Sequence, residues 1–226
     1  MAGELGVVML ETRFPRPPGD IGNAATFAFA VRYRVVAGAS PRRVVVERDV
    51  ALLAPFIAAA RALQDEGAVA VATSCGFLAL FQRELQAALV VPLWSSSLLL
   101  VAELQAHLGP GRVGIVTADS GSLSADHLHA VGAAVDTPIE GLAIGSAFRT
   151  TLLDNRAELD AEEARAATVG AAKRLIGRCP EVAAIVLECT NMPPYADAVR
   201  AATGLPVHDI TTLIASRFPP PIEVGR

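Results

Sequence analysis

One lysine and three cysteines stand among the 226 residues of this chain, and each shortage excludes something. Three cysteines are too few, and odd in number, for a disulfide framework, so a reduced, cytoplasmic setting is expected. The lone lysine, Lys173 in GAAKRLIGR, falls on a polar helix face, which argues against a pyridoxal Schiff base. Charged residues are sparse and the net charge is only -4, so there is no electrostatic footprint for nucleic acid. Apolar runs are interrupted by Ser, Gly or Pro before the ~18 residues of a membrane span. The opening MAGELGVVML has neither a basic leader nor a small-residue cleavage site.

What is present is alternation. Apolar, β-branched runs occur at Leu5–Leu10, Val44–Val46, Ala68–Ala72, Val90–Leu93, Val113–Thr117, Ala133–Val135, Ala183–Leu187 and Leu205–Val207. Stretches with helical spacing separate most of them: Val50–Glu66, Leu78–Ala88, Leu98–Leu108 and Asp154–Arg178. Continuous apolar strands between helices predict parallel sheets covered on both faces, an α/β fold. Gly109-Pro110-Gly111 turns the chain from a helix into the next strand. No low-complexity linker divides the chain, and the final FPPPIEVGR is expected to fray.

The two halves are in register. Cys75 and Cys189 stand 114 positions apart, and so do Pro92 and Pro206. The same offset lays Ala87-Ala88 over Ala201-Ala202 and Leu99-Leu100 over Leu213-Ile214. Each half opens with a related strand, LGVVMLET and VGIVTADS, in which Gly6 and Gly114 align at an offset of 108. An internal duplication is the expectation, with equivalent residues at equivalent points of two similar sheets. The division predicted is a first lobe over 1–97, completed by 210–226, and a second over 98–209.

Both cysteines fall where an apolar strand ends and a helix begins. Ligands of parallel α/β sheets bind outside the carboxyl ends of the strands. Helix N-termini stabilise thiolates, so a thiol pKa brought from ~8.5 toward neutrality is expected. Two facing lobes would aim one sulfur at each side of a bound molecule, so that a carbon acid loses a proton to one and regains it from the other. Gly76 lets backbone approach a ligand closely, and Thr190 and Asn191 are candidate donors to its carboxylate.

The segments TSCGF and ECTN, each followed by a Pro-containing strand, resemble the cofactor-independent aspartate/glutamate racemase superfamily. That group includes hydantoin racemases, maleate cis–trans isomerases and arylmalonate decarboxylases. The resemblance covers nearly the whole chain and implies two pseudo-symmetric α/β lobes, each a mostly parallel sheet flanked by helices, with the active site in the interlobe cleft. It also implies no cofactor, no metal, a small carboxylate substrate and a homodimer or larger homo-oligomer. The racemases' two proton-transferring cysteines correspond to Cys75 and Cys189. Two departures stand out: Glu11-Thr12 replaces the Asp-Ser typical of glutamate racemases, and Gly76-Phe77 replaces Asn-Thr. They point away from glutamate itself and toward hydantoin-like or less characterised substrates, with Thr73 and Ser74 placed to supply some of the lost bonding and Thr12 a candidate substrate contact.

The loop ETRFPRPPGDIGN offers Arg13 or Arg16 as a bidentate carboxylate partner, and a solvated loop is the plainer alternative. Asn23 and Thr26 close that loop. His208, in LPVHDI, is a candidate base or donor, with a packed histidine bonded to Asp209 as its rival. Glu188 is read as holding a loop rather than tuning the neighbouring thiol, and Ser95-Ser96-Ser97 as caps. His127 and His129 point to different helix faces, so no metal pair is expected, and Cys179 has no counterpart in the other half.

The function expected is racemisation or epimerisation of a small amino acid or related carboxylate by two-cysteine acid–base transfer at Cα. A maleate-type isomerase, a decarboxylase (which needs one cysteine only) and a non-catalytic small-molecule binding protein are the alternatives. No nucleic-acid or membrane partner is expected.

Overall fold

The computed structural model describes residues 3–109 and 111–218; Pro110 and the tail from 219, where fraying is expected, lie outside the described residues. Strands β1 (Glu4–Leu10), β2 (Val31–Val36), β3 (Ala68–Thr73) and β4 (Leu93–Trp94) form one sheet in the order β2-β1-β3-β4. Strands β5 (Arg112–Thr117), β6 (Ile139–Gly141), β7 (Val182–Leu187) and β8 (Val207–His208) form a second in the order β6-β5-β7-β8. All pairs are parallel.

Helices flank both sheets. They are α1 (Leu53–Asp65), α2 (Gln82–Ala87), α3 (Leu99–His107) and α4 (Ala125–Ala130), then α5 (Ala147–Leu153), α6 (Ala161–Arg178), α7 (Ala196–Thr203) and α8 (Ile210–Arg217). Local chemistry sets their ends. Asp160 accepts the N–H groups of Glu162 and Glu163 and starts α6; Asp209 accepts those of Thr211 and Thr212 and starts α8. Gly204, at φ +71°, closes α7 in the left-handed conformation.

The halves repeat down to individual ladder bonds. Val71 N donates to Pro92 O at 2.8 Å and Ile185 N to Pro206 O at 2.9 Å. The β1–β3 ladder slips between Glu4 and Leu5, and the β5–β7 ladder slips between the equivalent Arg112 and Val113. A shared irregularity at equivalent positions is hard to reach by chance matching of Ala-rich helices.

Four expectations about elements are corrected. Val44–Val46 is no strand: Pro41 leads into a wide helical turn over Arg42–Val46 that buries Val44 and Val45. The strand beside β1 is instead VRYRVV, an edge whose Arg32 and Arg34 pair with Glu4 and Glu66. Val90–Leu93 contracts to Leu93–Trp94, because Pro92 contributes only its carbonyl and Val90 is 91% exposed. The strand expected at Ala133–Val135 forms at Ile139–Gly141, beyond a turn at Gly132 (φ +76°). The helix expected from Asp154 begins at Ala161, since Asn155 takes φ +53° and breaks it.

Buried side chains of the two sheets pack together. One buried cluster joins Val8, Val71 and Leu78 to Val113, Ile115, Leu128 and Val186. The last helix returns to the first sheet, where Ile210, Leu213 and Ile214 pack with Leu5, Val7 and Ala70. The lobes are therefore fused over their facing surfaces, leaving a cleft at the strand ends.

Candidate active site

The cleft is floored by two equivalent chain reversals. Beyond β3 come Ser74, Cys75 and a tight helical turn over Gly76–Phe81; beyond β7 come Glu188, Cys189 and a turn leading into Pro193–Tyr195. Leu78 N donates to Cys75 O at 3.1 Å, and Met192 N to Cys189 O at 3.0 Å. The amides of Phe77 and Leu78 point at the Cys75 sulfur and the Asn191 amide at Cys189. A pocket lined by residues of both reversals lies between them.

Of the residues singled out from the sequence, Thr12, Ser74, Cys75, Gly76, Cys189, Thr190 and Asn191 line this pocket together. Arg13 and His208 do not. Along the segment after β1, Thr12, Phe14 and Arg16 enter the pocket while Arg13 turns out to Asn155, to whose carbonyl its Nε donates at 3.2 Å. His208 stays half-buried in the edge strand β8, one strand removed from the cleft, and burial lowers its pKa. Asn23 and Thr26 hold the loop instead of a ligand: Asn23 Nδ2 donates to Arg16 O and Thr26 Oγ1 to Asp20 O.

The candidate donors are spoken for. Thr190 Oγ1 donates across the lobes to Ser74 O at 2.6 Å, and Ser97 Oγ does the same to Leu187 O at 2.7 Å. Asn191 Nδ2 donates to Asp20 Oδ2 at 2.7 Å, and its Oδ1 lies 3.6 Å from Cys189 Sγ. Asp20, 1% exposed, also pairs with Arg16 at 2.8 Å. Arg16 in turn reaches Thr12 Oγ1 and stacks over the Phe14 ring at 5.0 Å. This loop-borne Arg16–Asp20–Asn191 chain ties the first lobe to the second cysteine turn. Asp20 was missed from sequence; its signal was the i, i+4 spacing from Arg16 within a Gly-Pro loop.

The thiols differ from expectation. Burial pushes Cys75 up to about 12, with the Glu188 charge adding and the turn amides opposing. Cys189 is raised well above the ordinary thiol value by burial, then by Glu188, with the charge of Cys75 contributing. Desolvation outweighs the few amides of a short turn, so both thiols rest as S–H. Glu188 is itself raised to about 7 by burial, eased by the Thr117 hydroxyl at 2.6 Å. It lines the pocket, so it is more than a loop anchor. Gly76 is glycine because of it: a Cβ there would collide with both Glu188 Oε1 and the Glu188 carbonyl oxygen.

Two sulfurs from equivalent strand ends thus line one pocket together with the Arg16 guanidinium. Among the described residues, no three His, Cys, Asp or Glu side chains gather as metal ligands, and no helix is long and apolar enough to cross a membrane.

The family model for Asp/Glu/hydantoin racemases matches residues 39–217. A dimethylsulfoniopropionate lyase of Durusdinium sp. clade D is 35% identical over 91% of this chain and 70% of its own length. Dimethylsulfoniopropionate lyase 6 of Emiliania huxleyi is 31% identical over 92% of this chain, which spans only 57% of that relative. Among solved structures, unliganded arylmalonate decarboxylase superposes with a TM-score of 0.60 at 20% identity, over 93% of this chain and 88% of its own.

Proposed function

The chain belongs to the Asp/Glu/hydantoin racemase family, and from that premise we infer that it is a cofactor-independent carbon-acid enzyme. It would remove the proton α to a carboxylate, with Cys75 and Cys189 as the acid–base pair and Arg16 and Thr12 holding the carboxylate. The observation that carries this is the meeting of both cysteines, from equivalent strand ends, in one pocket.

The finer reading is a lyase acting on dimethylsulfoniopropionate, supported by the names of the relatives at 35% and 31% identity. The chemistry suits the site. One cysteine, once its S–H proton has passed to water, takes the Cα proton as thiolate; the freed electron pair forms the Cα–Cβ double bond; the Cβ–S bond breaks, and dimethyl sulfide leaves with its electrons, giving acrylate. The positive sulfur makes the leaving group good and the adjacent protons more acidic, so a carboxylate carbon acid becomes feasible without a cofactor. A second reading, racemisation at Cα, is favoured by the paired cysteines, because an elimination needs only one base. A homodimer in the cytoplasm belongs to the same proposal.

Incubation with dimethylsulfoniopropionate in heavy water distinguishes them. The lyase releases dimethyl sulfide and acrylate in equal amounts, and Cys75→Ser or Cys189→Ser lowers kcat by about 10³-fold for whichever sulfur is the base. Deuterium entering Cα of aspartate, glutamate or a hydantoin, with both variants inactive, selects the racemase. Saturable binding without turnover of any of these compounds would refute catalysis.

A further inference from the structure

We propose that Glu188 is a specificity-determining residue that makes the cleft select a substrate carrying a positive charge in addition to its carboxylate. This rests on the carboxylate reading of the cleft given above and adds the second half of the ligand.

Glu188 is 0% exposed and lines the pocket. Its Oε2 accepts the Thr117 hydroxyl, while its Oε1 is buried with no hydrogen-bond partner among the described residues. A buried carboxylate oxygen without a partner is costly, and such a group persists where it serves a ligand. The chain has also made room for it: Gly76 vacates the volume beside the first cysteine, and the carboxylate occupies that volume.

The charges around it leave it uncompensated. Among the described residues, Arg16 is the one basic side chain lining the pocket, and it is already paired with Asp20 and bonded to Thr12. The other ionisable groups facing the cleft are the two thiols, both held neutral. The pocket thus sets the Arg16 guanidinium, on the loop, against the Glu188 carboxyl, on the floor. A zwitterion fits this pair when its carboxylate competes with Asp20 for Arg16 and its onium centre lies at Glu188.

The duplication sharpens the point. The residue equivalent to Glu188 in the first half is Ser74, whose Oγ is satisfied by the Leu10 amide at 2.9 Å. Only one of two otherwise matching strand ends carries a charge, so the ligand's two ends differ in kind.

Calorimetric titration of the full chain with the zwitterion 3-(trimethylammonio)propionate and 4,4-dimethylpentanoate, its isostere without the positive charge, separates charge from shape. The wild type is expected to bind the zwitterion about tenfold tighter or more; Glu188→Gln, which keeps the shape and the Thr117 bond, brings the ratio to within about twofold. Equal binding by the wild type, a preference for 4,4-dimethylpentanoate, or a preference that survives in Glu188→Gln overturns the assignment. So does loss of turnover in Glu188→Gln at an unchanged ratio, which would make the residue a proton carrier. Should the variant not fold, the wild-type ratio decides alone. Failure of both compounds to bind sinks the carboxylate reading and this inference with it, whereas preference for the positive charge without elimination sinks only the lyase.

Discussion

Glu188 shows at the residue scale how a functional group can oppose the fold that holds it. Raised from an ordinary value of 4.5 to about 7, its carboxyl is neutral in both folded and unfolded chains below pH 4.5. Between pH 4.5 and 7 the unfolded chain ionises first, so native stability falls, and above 7 the full penalty of about 3 kcal/mol is present. The thiols stay protonated across this window and contribute nothing to the slope. Denaturant midpoints measured from pH 5 to pH 8 should therefore drift in favour of Glu188→Gln over the wild type by about 3 kcal/mol; a flat difference would mean that the carboxyl is not buried as described. The same scale explains why Arg16 and not Arg13 belongs to the site. Both are arginines in one loop, and the fold turns one into the pocket and the other out to Asn155.

At the scale of elements, the duplication has a mechanical signature in its two aligned glycines. A Cβ on Gly114 would press on Leu175 of α6 at 2.7 Å, and one on Gly6 would press on Leu63 of α1 at 3.0 Å. In both halves a helix leucine rests directly on the central strand, which sets the spacing between helix and sheet and hence where the strand ends deliver their cysteines. Gly114→Ala is expected to destabilise the chain by about 1–3 kcal/mol, lowering Tm by about 2–12 °C, and Gly6→Ala should act in the same direction. An unchanged Tm in both variants would show that the helices are free to shift. The elements that sequence reading misplaced were those without strong periodicity. The strand β2 alternates valine and tyrosine with arginine, and β6 is three residues long with Glu140 at its centre. Val44–Val46 is apolar and β-branched, yet helical, because burial of Val44 and Val45 decided its conformation.

On the scale of the whole molecule, the two lobes share one core, so they should unfold as one. Trp94 lies in the first sheet, while far-ultraviolet circular dichroism reports helices of both lobes. The two probes should give coincident transitions, and Ile214→Ala, in the returning helix, should shift both together by about 2–5 kcal/mol. Separate transitions would show that the lobes are independent and that the cleft can open as a hinge between two stable bodies.

The sequence by itself determined the alternation of strands and helices, the duplicated plan and the two cysteines at equivalent strand ends. These are written in local periodicity and in a constant offset, which need no knowledge of distant contacts. It could not determine the ionisation of those thiols, because local helix-end electrostatics and global burial pull in opposite directions and only packing sets the burial. Nor could it reveal that Glu188 fills the space left by Gly76, since those residues lie 112 positions apart and meet only across the cleft. Charge in a pocket is a property of everything that surrounds it, and that is decided by the tertiary structure.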